Sequence, residues 1–136
     1  MNQSRYRFLM IRHGESIWNN QDKFTGWTNI PLSDNGKKES INIANKLIKS
    51  KLYPNIIFSS VLERSINTSN LIKLNLELEE PIQMQTSWRL NEKHYGTLEG
   101  IPRDIIKNEY GEKFTKMLRS NFYMIPFFNV FSSKIH

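Results

Sequence analysis

Phe8-Leu9-Met10-Ile11-Arg12-His13-Gly14-Glu15-Ser16 is the stretch on which the fold reading turns. Four consecutive apolar residues stop abruptly at a charged and polar group that includes a glycine. A short unbroken apolar run fits a strand buried on both faces of a parallel sheet. The polar residues then fall at the strand's carboxyl end, where open α/β sheets bind their ligands. Their types suit phosphoryl transfer. A neutral imidazole attacks phosphorus, and a guanidinium such as Arg12 holds phosphoryl oxygens by paired, charge-assisted hydrogen bonds. Gly14 leaves room for the group to approach. Taken alone, the motif reads equally well as a polar turn with an incidental histidine.

Outward from this motif, residues 19–31 read as a long loop, a length that usually has a job. Ser33 is a helix N-cap with Asp34 in the first turn, and Ile41, Ala44, Leu47 and Ile48 recur at helical spacing up to about Ser50. Pro54 separates this helix from a second short strand over 56–58. Ser60 and Glu63 form a capping-box pattern that opens a helix through Leu62, Ile66 and Ile72. Ile82, Met84 and Thr86 alternate with glutamines, which predicts a third strand with one face exposed. Residues 88–100 lack periodicity and read as a loop. Pro102 opens a further helix at its first position, Gly111 ends it, and a short helix follows over 112–119. Strand, helix, strand, helix, strand predicts an α/β domain with a largely parallel sheet.

Composition narrows the function. The 136 residues suit one domain with a buried core. Cysteine is absent, which excludes disulfides, thiolate metal sites and a cysteine nucleophile. The three histidines are widely separated from one another and lack clustered carboxylates, so no metal is expected. A net charge of +6 suits an anionic partner. The lysines are scattered, however, and read as a solvated basic surface before a nucleic-acid stripe. No leader is evident, and no segment reaches the roughly 20 apolar residues of a membrane span. The aromatic stretch 122–131 is about half that length and is broken by Pro126. The expectation is a soluble, cytoplasmic protein without nucleic-acid or membrane partners.

Arg12-His13-Gly14-Glu15-Ser16, Trp18-Asn19, Phe24-Thr25-Gly26-Trp27 and Pro31-Leu32-Ser33 with Gly36 resemble the opening of the cofactor-dependent phosphoglycerate mutases. Ser60-Val61-Leu62-Glu63-Arg64 and Trp88-Arg89-Leu90-Asn91-Glu92-Lys93-His94-Tyr95-Gly96 resemble the next two blocks. The histidine motif alone points to the broad histidine phosphatase superfamily, and the block at 88–96 points to its mutase branch. The resemblance runs in order from about Phe8 to Arg119. It implies a three-layer αβα domain with a mostly parallel sheet, of which 1–120 is the amino-terminal part and 121–136 a divergent apolar tail.

The resemblance further implies interconversion of 2-phosphoglycerate and 3-phosphoglycerate through a phosphohistidine, in glycolysis and gluconeogenesis. The phosphoryl primer is 2,3-bisphosphoglycerate, with no metal. His13 is the implied nucleophile and Glu92 the implied general acid and base. Arg12, Ser16, Asn19, Thr25, Gly26, Arg64, Lys93, His94, Tyr95, Arg103 and Arg119 are implied to bind the substrate, a small phosphorylated carboxylic acid. His94 lies in that pocket by resemblance without being the nucleophile. Trp18, Trp27 and Trp88 read as packing. Family members are often dimers or tetramers, so a homo-oligomer is compatible with this reading.

The match also breaks. The family carries a second active-site histidine followed by Gly-Asn-Ser, and here the only histidine beyond His94 is His136, in no such context. Losing one comparable electrostatic contact costs on the order of 10²–10³ in rate. The domain is therefore expected to be incomplete. Leu118 stands where a tryptophan is usual, and Ser120 follows Arg119 where a second arginine is usual. Two readings of the tail stay open: translation out of frame, or a short protein that acquires strands from a partner. Two functional rivals stay open as well. One is a histidine phosphatase hydrolysing a small phosphorylated metabolite, the other a non-catalytic remnant or binding module.

Overall fold

The computed structural model describes residues 6–121. A short helix α1 (Ile17–Asn20) leads into a long loop and helix α2 (Asp34–Lys49). Strand β1 (Ile56–Ser59), helix α3 (Glu63–Asn75) and strand β2 (Gln83–Thr86) form a βαβ unit. Two 3₁₀ turns, Trp88–Leu90 and Gly96–Leu98, precede helices α4 (Arg103–Tyr110) and α5 (Glu112–Ser120). The strands pair in parallel, Ile56 opposite Gln83 through Ser59 opposite Thr86. A parallel pair needs a crossover, and α3 supplies it. The α/β class with a parallel sheet is as the sequence predicts.

Local chemistry explains most boundaries. Ser33 caps α2 by accepting the Gly36 N–H, and Asp34 occupies its first turn as expected. Ala44 and Leu47 of α2 are buried with Ile72, Leu76 and Ile82, and Ile43, Leu52 and Ile57 pack against them. A second core gathers Phe24, Tyr95, Leu98, Ile106 and Leu118, with Ile101, Tyr110 and Phe114 at its margin. Gly111, at φ 85°, takes the left-handed turn that separates α4 from α5. The loop after α1 is held rather than free. Phe24 N–H donates to Ile101, Gly100 N–H to Phe24 and Arg103 N–H to Asp22, which fastens 22–24 along 100–103.

Three expectations are corrected. Residues 8–11 form no strand. Phe8, Leu9, Met10 and Ile11 are 84, 40, 87 and 41% exposed, the two-residue alternation of an extended chain. Apolarity permits a strand, but a ladder needs a neighbour, and none of the described residues pairs with this run. Second, the capping box at Ser60 does not form. The N-cap of α3 is Leu62, without a side-chain cap, and the Glu63 N–H instead donates to Asn29 Oδ1 at 3.1 Å. The helix starts two residues too late for Ser60, whose hydroxyl reaches only the Leu62 N–H at 3.4 Å. Third, Pro102 is the N-cap of α4, one residue before its first turn. The tail readings, the 122–131 stretch and His136 lie outside the described residues. Among the described residues no helix is long and apolar enough to cross a membrane.

Candidate active site

His13 sits on a loop that is tied to two helices. Ser33 N–H and hydroxyl both donate to Glu15, to its carbonyl at 2.9 Å and its Oε1 at 2.6 Å. The Ser33 hydroxyl thereby holds the Glu15 carboxyl below its usual range. Glu15 N–H donates to Glu39 Oε2 on α2 at 2.8 Å. Gly14 N–H donates to Thr68 Oγ1 on α3 at 3.0 Å, and that hydroxyl donates on to the Arg64 carbonyl at 2.8 Å. The N–H groups of Gly14 and Glu15, the two residues after His13, are thus satisfied by the scaffold.

The ring geometry fixes its chemistry. Nδ1 lies 2.7 Å from the Gly14 carbonyl and donates to it, which leaves the lone pair on Nε2. That nitrogen faces Arg64 Nε at 3.3 Å and accepts from it. Burial lowers the pKa of His13 below 6.5, with Arg64 and Arg12 adding to it and the Gly14 carbonyl and Glu92 opposing. The imidazole is therefore neutral near pH 7, as a nucleophile requires.

Arg64 is fully buried in the first turn of α3, which rules out a surface helix arginine. Its Nη1 donates to the Thr28 carbonyl at 3.1 Å. Its Nη2 donates to the Gly26 carbonyl at 2.7 Å and to Glu92 Oε2 at 3.0 Å. With Nε on His13, four of its five N–H bonds are committed. His13, Arg64 and Glu92 form one continuous chain. Trp27 Nε1–H fixes the Glu92 carbonyl at 2.7 Å, so this tryptophan positions a site residue as well as packing against Trp88 and His94.

A second group of charges surrounds Tyr95. Burial raises the pKa of its phenol; Glu92 adds to the rise, while Arg119 and Arg103 oppose it. All three charges therefore act on one hydroxyl. Arg103 pairs with Asp22 at 2.7 Å and lies over the Phe24 ring, while its buried Nε has no partner. Thr25 Oγ1 is likewise buried and unpartnered. Arg12 and Arg119 make no ion pair with the described residues. Arg12, His13, Asn19 and Lys46 line a cleft of about 540 Å³. A larger groove of about 800 Å³ beside Ile17, Pro31, Leu71 and Leu74 includes neither His13 nor Glu92.

Other expected residues have local employment. Ser16 and Asn19 cap α1 reciprocally, each side chain accepting the other's N–H at 3.1 Å. Lys93 donates from Nζ to the carbonyls of Leu118 and Asn121, closing the end of α5. His94 Nδ1 accepts from Gly96 N–H at 2.8 Å and lies 3.5 Å from Glu99 Oε1. Sequence reading missed Glu99, Thr68 and Asn29. Glu99 and Asn29 lie outside any periodic stretch, Thr68 is a polar position within α3, and each acts through a contact far along the chain.

Among the described residues no group of three or more His, Cys, Asp or Glu side chains is placed to hold a metal. The model of the histidine phosphatase superfamily (branch 1) matches residues 8–126. The 2,3-bisphosphoglycerate-dependent phosphoglycerate mutase of Buchnera aphidicola subsp. Baizongia pistaciae is 44% identical over 123 residues, 89% of this chain and 52% of that protein. The protein of the same name from Hydrogenobaculum is 38% identical over 121 residues, 89% and 49% of the two chains. The chain spans about half the length of the curated relatives it matches. Among solved structures, a mycobacterial glucosyl-3-phosphoglycerate phosphatase complexed with VO3 superposes with a TM-score of 0.63 at 25% identity, over 75% of this chain and 48% of that one. Bacillus stearothermophilus YhfR gives 0.63 at 26%, over 72% and 46%.

Proposed function

The chain belongs to the histidine phosphatase superfamily, and from that premise we propose that it carries the nucleophile half of a 2,3-bisphosphoglycerate-dependent phosphoglycerate mutase, with His13 the residue that becomes phosphorylated. The observation that supports it most is the buried Arg64, which contacts His13 Nε2 with one nitrogen and Glu92 with another. A nucleophile and a proton carrier thus share one fixed cation.

The site fits a small polyanion. Thr25 Oγ1 and Arg103 Nε are buried without partners, and Arg12 and Arg119 are free of ion pairs with described residues. These four would hold phosphate and carboxylate oxygens. When bound, 2,3-bisphosphoglycerate supplies the first phosphoryl group. The rest is done by the chain. Arg64 Nε–H, which rests on the Nε2 lone pair in the free site, must pass to a phosphoryl oxygen as the group arrives. His13 Nε2 then forms the bond to phosphorus as the bond from phosphorus to the leaving oxygen breaks. Gly14 takes the Nδ1 proton's hydrogen bond and so stabilises the charge that develops on the ring. Glu92 gives a proton to the leaving oxygen and recovers it from the attacking hydroxyl on return. Arg64 and Arg12 neutralise the equatorial oxygens in transit. The substrate is a small phosphorylated carboxylic acid, 2- or 3-phosphoglycerate, and the setting is cytoplasmic glycolysis and gluconeogenesis.

Radiolabelled 2,3-bisphosphoglycerate tests this directly. The wild-type chain is expected to take up acid-labile label, and His13→Ala none. Equal uptake by both would sink the proposal. Hydrolysis is the second reading, favoured by the 38% exposure of the Glu92 side chain, which admits water. Inorganic phosphate released in place of isomerised 3-phosphoglycerate would select it.

A further inference from the structure

Glu99 accepts more hydrogen bonds than any other side chain described, and none of the chemistry above uses it. Its Oε1 accepts the N–H groups of Trp27 at 3.0 Å and Tyr95 at 3.1 Å. Its Oε2 accepts the N–H of Thr28 at 3.0 Å and the Thr28 hydroxyl at 2.6 Å. These bonds outweigh the cost of its burial and hold the carboxyl below its usual range, so it is charged at neutral pH. Its side chain is 12% exposed. Gly26 leaves the space that the carboxylate occupies. A Cβ there would meet Glu99 Cδ at 2.7 Å, and the backbone is left-handed at φ +57°.

One peptide unit carries the consequence. The N–H of Trp27 and the carbonyl of Gly26 belong to the same planar amide and point in opposite directions. On one side the N–H meets the Glu99 carboxylate, and on the other the carbonyl accepts Arg64 Nη2 at 2.7 Å. Carboxylate, amide dipole and guanidinium stand in series, an order in which each bond polarises the next. The Thr28 carbonyl, which takes Arg64 Nη1, belongs to a residue that Glu99 holds through both N–H and hydroxyl.

We propose that Glu99 is a positioning residue, which sets the guanidinium of Arg64 against His13 through the Gly26–Trp27 amide. It never touches the transferring group. The assignment deepens the reading of His13 as phosphoryl acceptor and rests on it for its catalytic meaning, whereas its geometry can be tested separately.

Glutamine at 99 makes the sharpest comparison. With its oxygen in the Oε1 place it still accepts from Trp27 and Tyr95, and the Thr28 hydroxyl can reverse to accept from its amide. Only the Thr28 N–H loses its partner. Glu99→Ala loses all four bonds. The measurements use the full 136-residue chain. The first is the ¹H–¹⁵N resonance of Arg64 Nε–H and its exchange with water, well below the melting temperature. The second is the rate of acid-labile labelling. Glu99→Ala is expected to shift that resonance, speed its exchange, and slow labelling on the order of 10²-fold. Glu99→Gln is expected to restore most of both. A merely structural role would lower the melting temperature and leave the Arg64 signal in place, and that result overturns the proposal. If Glu99→Ala does not fold, Thr28→Val, which removes only the hydroxyl bond, must move the same resonance in the same direction; no movement overturns it equally. A wild-type chain that takes up no label defeats the reading of His13, while the resonance still decides Glu99.

Discussion

Gly14 and Gly36 lie back to back, so that the loop bearing His13 rests on the first turn of α2. A Cβ on Gly14 would come within 2.9 Å of the Gly36 carbonyl carbon, and one on Gly36 within 2.7 Å of the Glu15 nitrogen. Backbone meets backbone, and neither side can swing away. The height of His13 above the scaffold is set by two absent side chains.

Gly36→Ala therefore reverses an ordinary sign. In an open helix the change gains about 1 kcal/mol. Here the forced separation is expected to cost about 1–3 kcal/mol, a net loss in a denaturant melt, and to lower labelling of His13. A stabilised variant with full labelling would refute the contact.

Arg64→Lys tests the fork. One ammonium cannot reach His13, Gly26, Thr28 and Glu92 together. Labelling is expected to fall on the order of 10²–10³-fold while the fold persists by circular dichroism.

The pH dependence follows from the buried ring. His13 binds its proton less tightly folded than unfolded, where the ordinary value is 6.5. Below that value the unfolded chain takes up more protons. The group's contribution to stability is thus whole above 6.5 and is lost as pH falls toward the folded value. Labelling needs the neutral ring, so its rate should stay level through 6.5 and decline only below it. Rates across about pH 8 to 5 measure this, and a midpoint at or above the ordinary imidazole value contradicts it.

Asn29→Ala should cost about 0.5–2 kcal/mol, the usual loss for a removed helix cap. Ser60→Ala should cost less, because its hydroxyl makes only a 3.4 Å bond to Leu62. Paired thermal melts rank the two. The reverse order would restore the local capping box.

The sequence was most legible where structure is local. The Ser33 cap, the α2 face and the stop at Gly111 all follow from neighbours within a few positions. The strand expected at 8–11 failed because pairing is a property of two segments, and apolarity describes only one. Arg64, Glu92 and His13 were singled out by resemblance, yet their shared hydrogen bonds span 28 and 51 positions and have no periodic trace. Glu99 was invisible for the same reason. Lys93 was singled out by its place in the motif, which carries no sign of the bonds its ammonium makes to the carbonyls of Leu118 and Asn121, 25 and 28 positions on.

Phe8, Met10, Ile56 and Phe58 are 84, 87, 38 and 61% exposed, and greasy surface of that kind governs how the purified chain behaves in a tube. It will light up hydrophobic dyes in its native state. It will also salt out early, since sulfate and phosphate buffers push such side chains together. Storage in low-salt, phosphate-free buffer follows from the same four residues that were expected to disappear into a sheet.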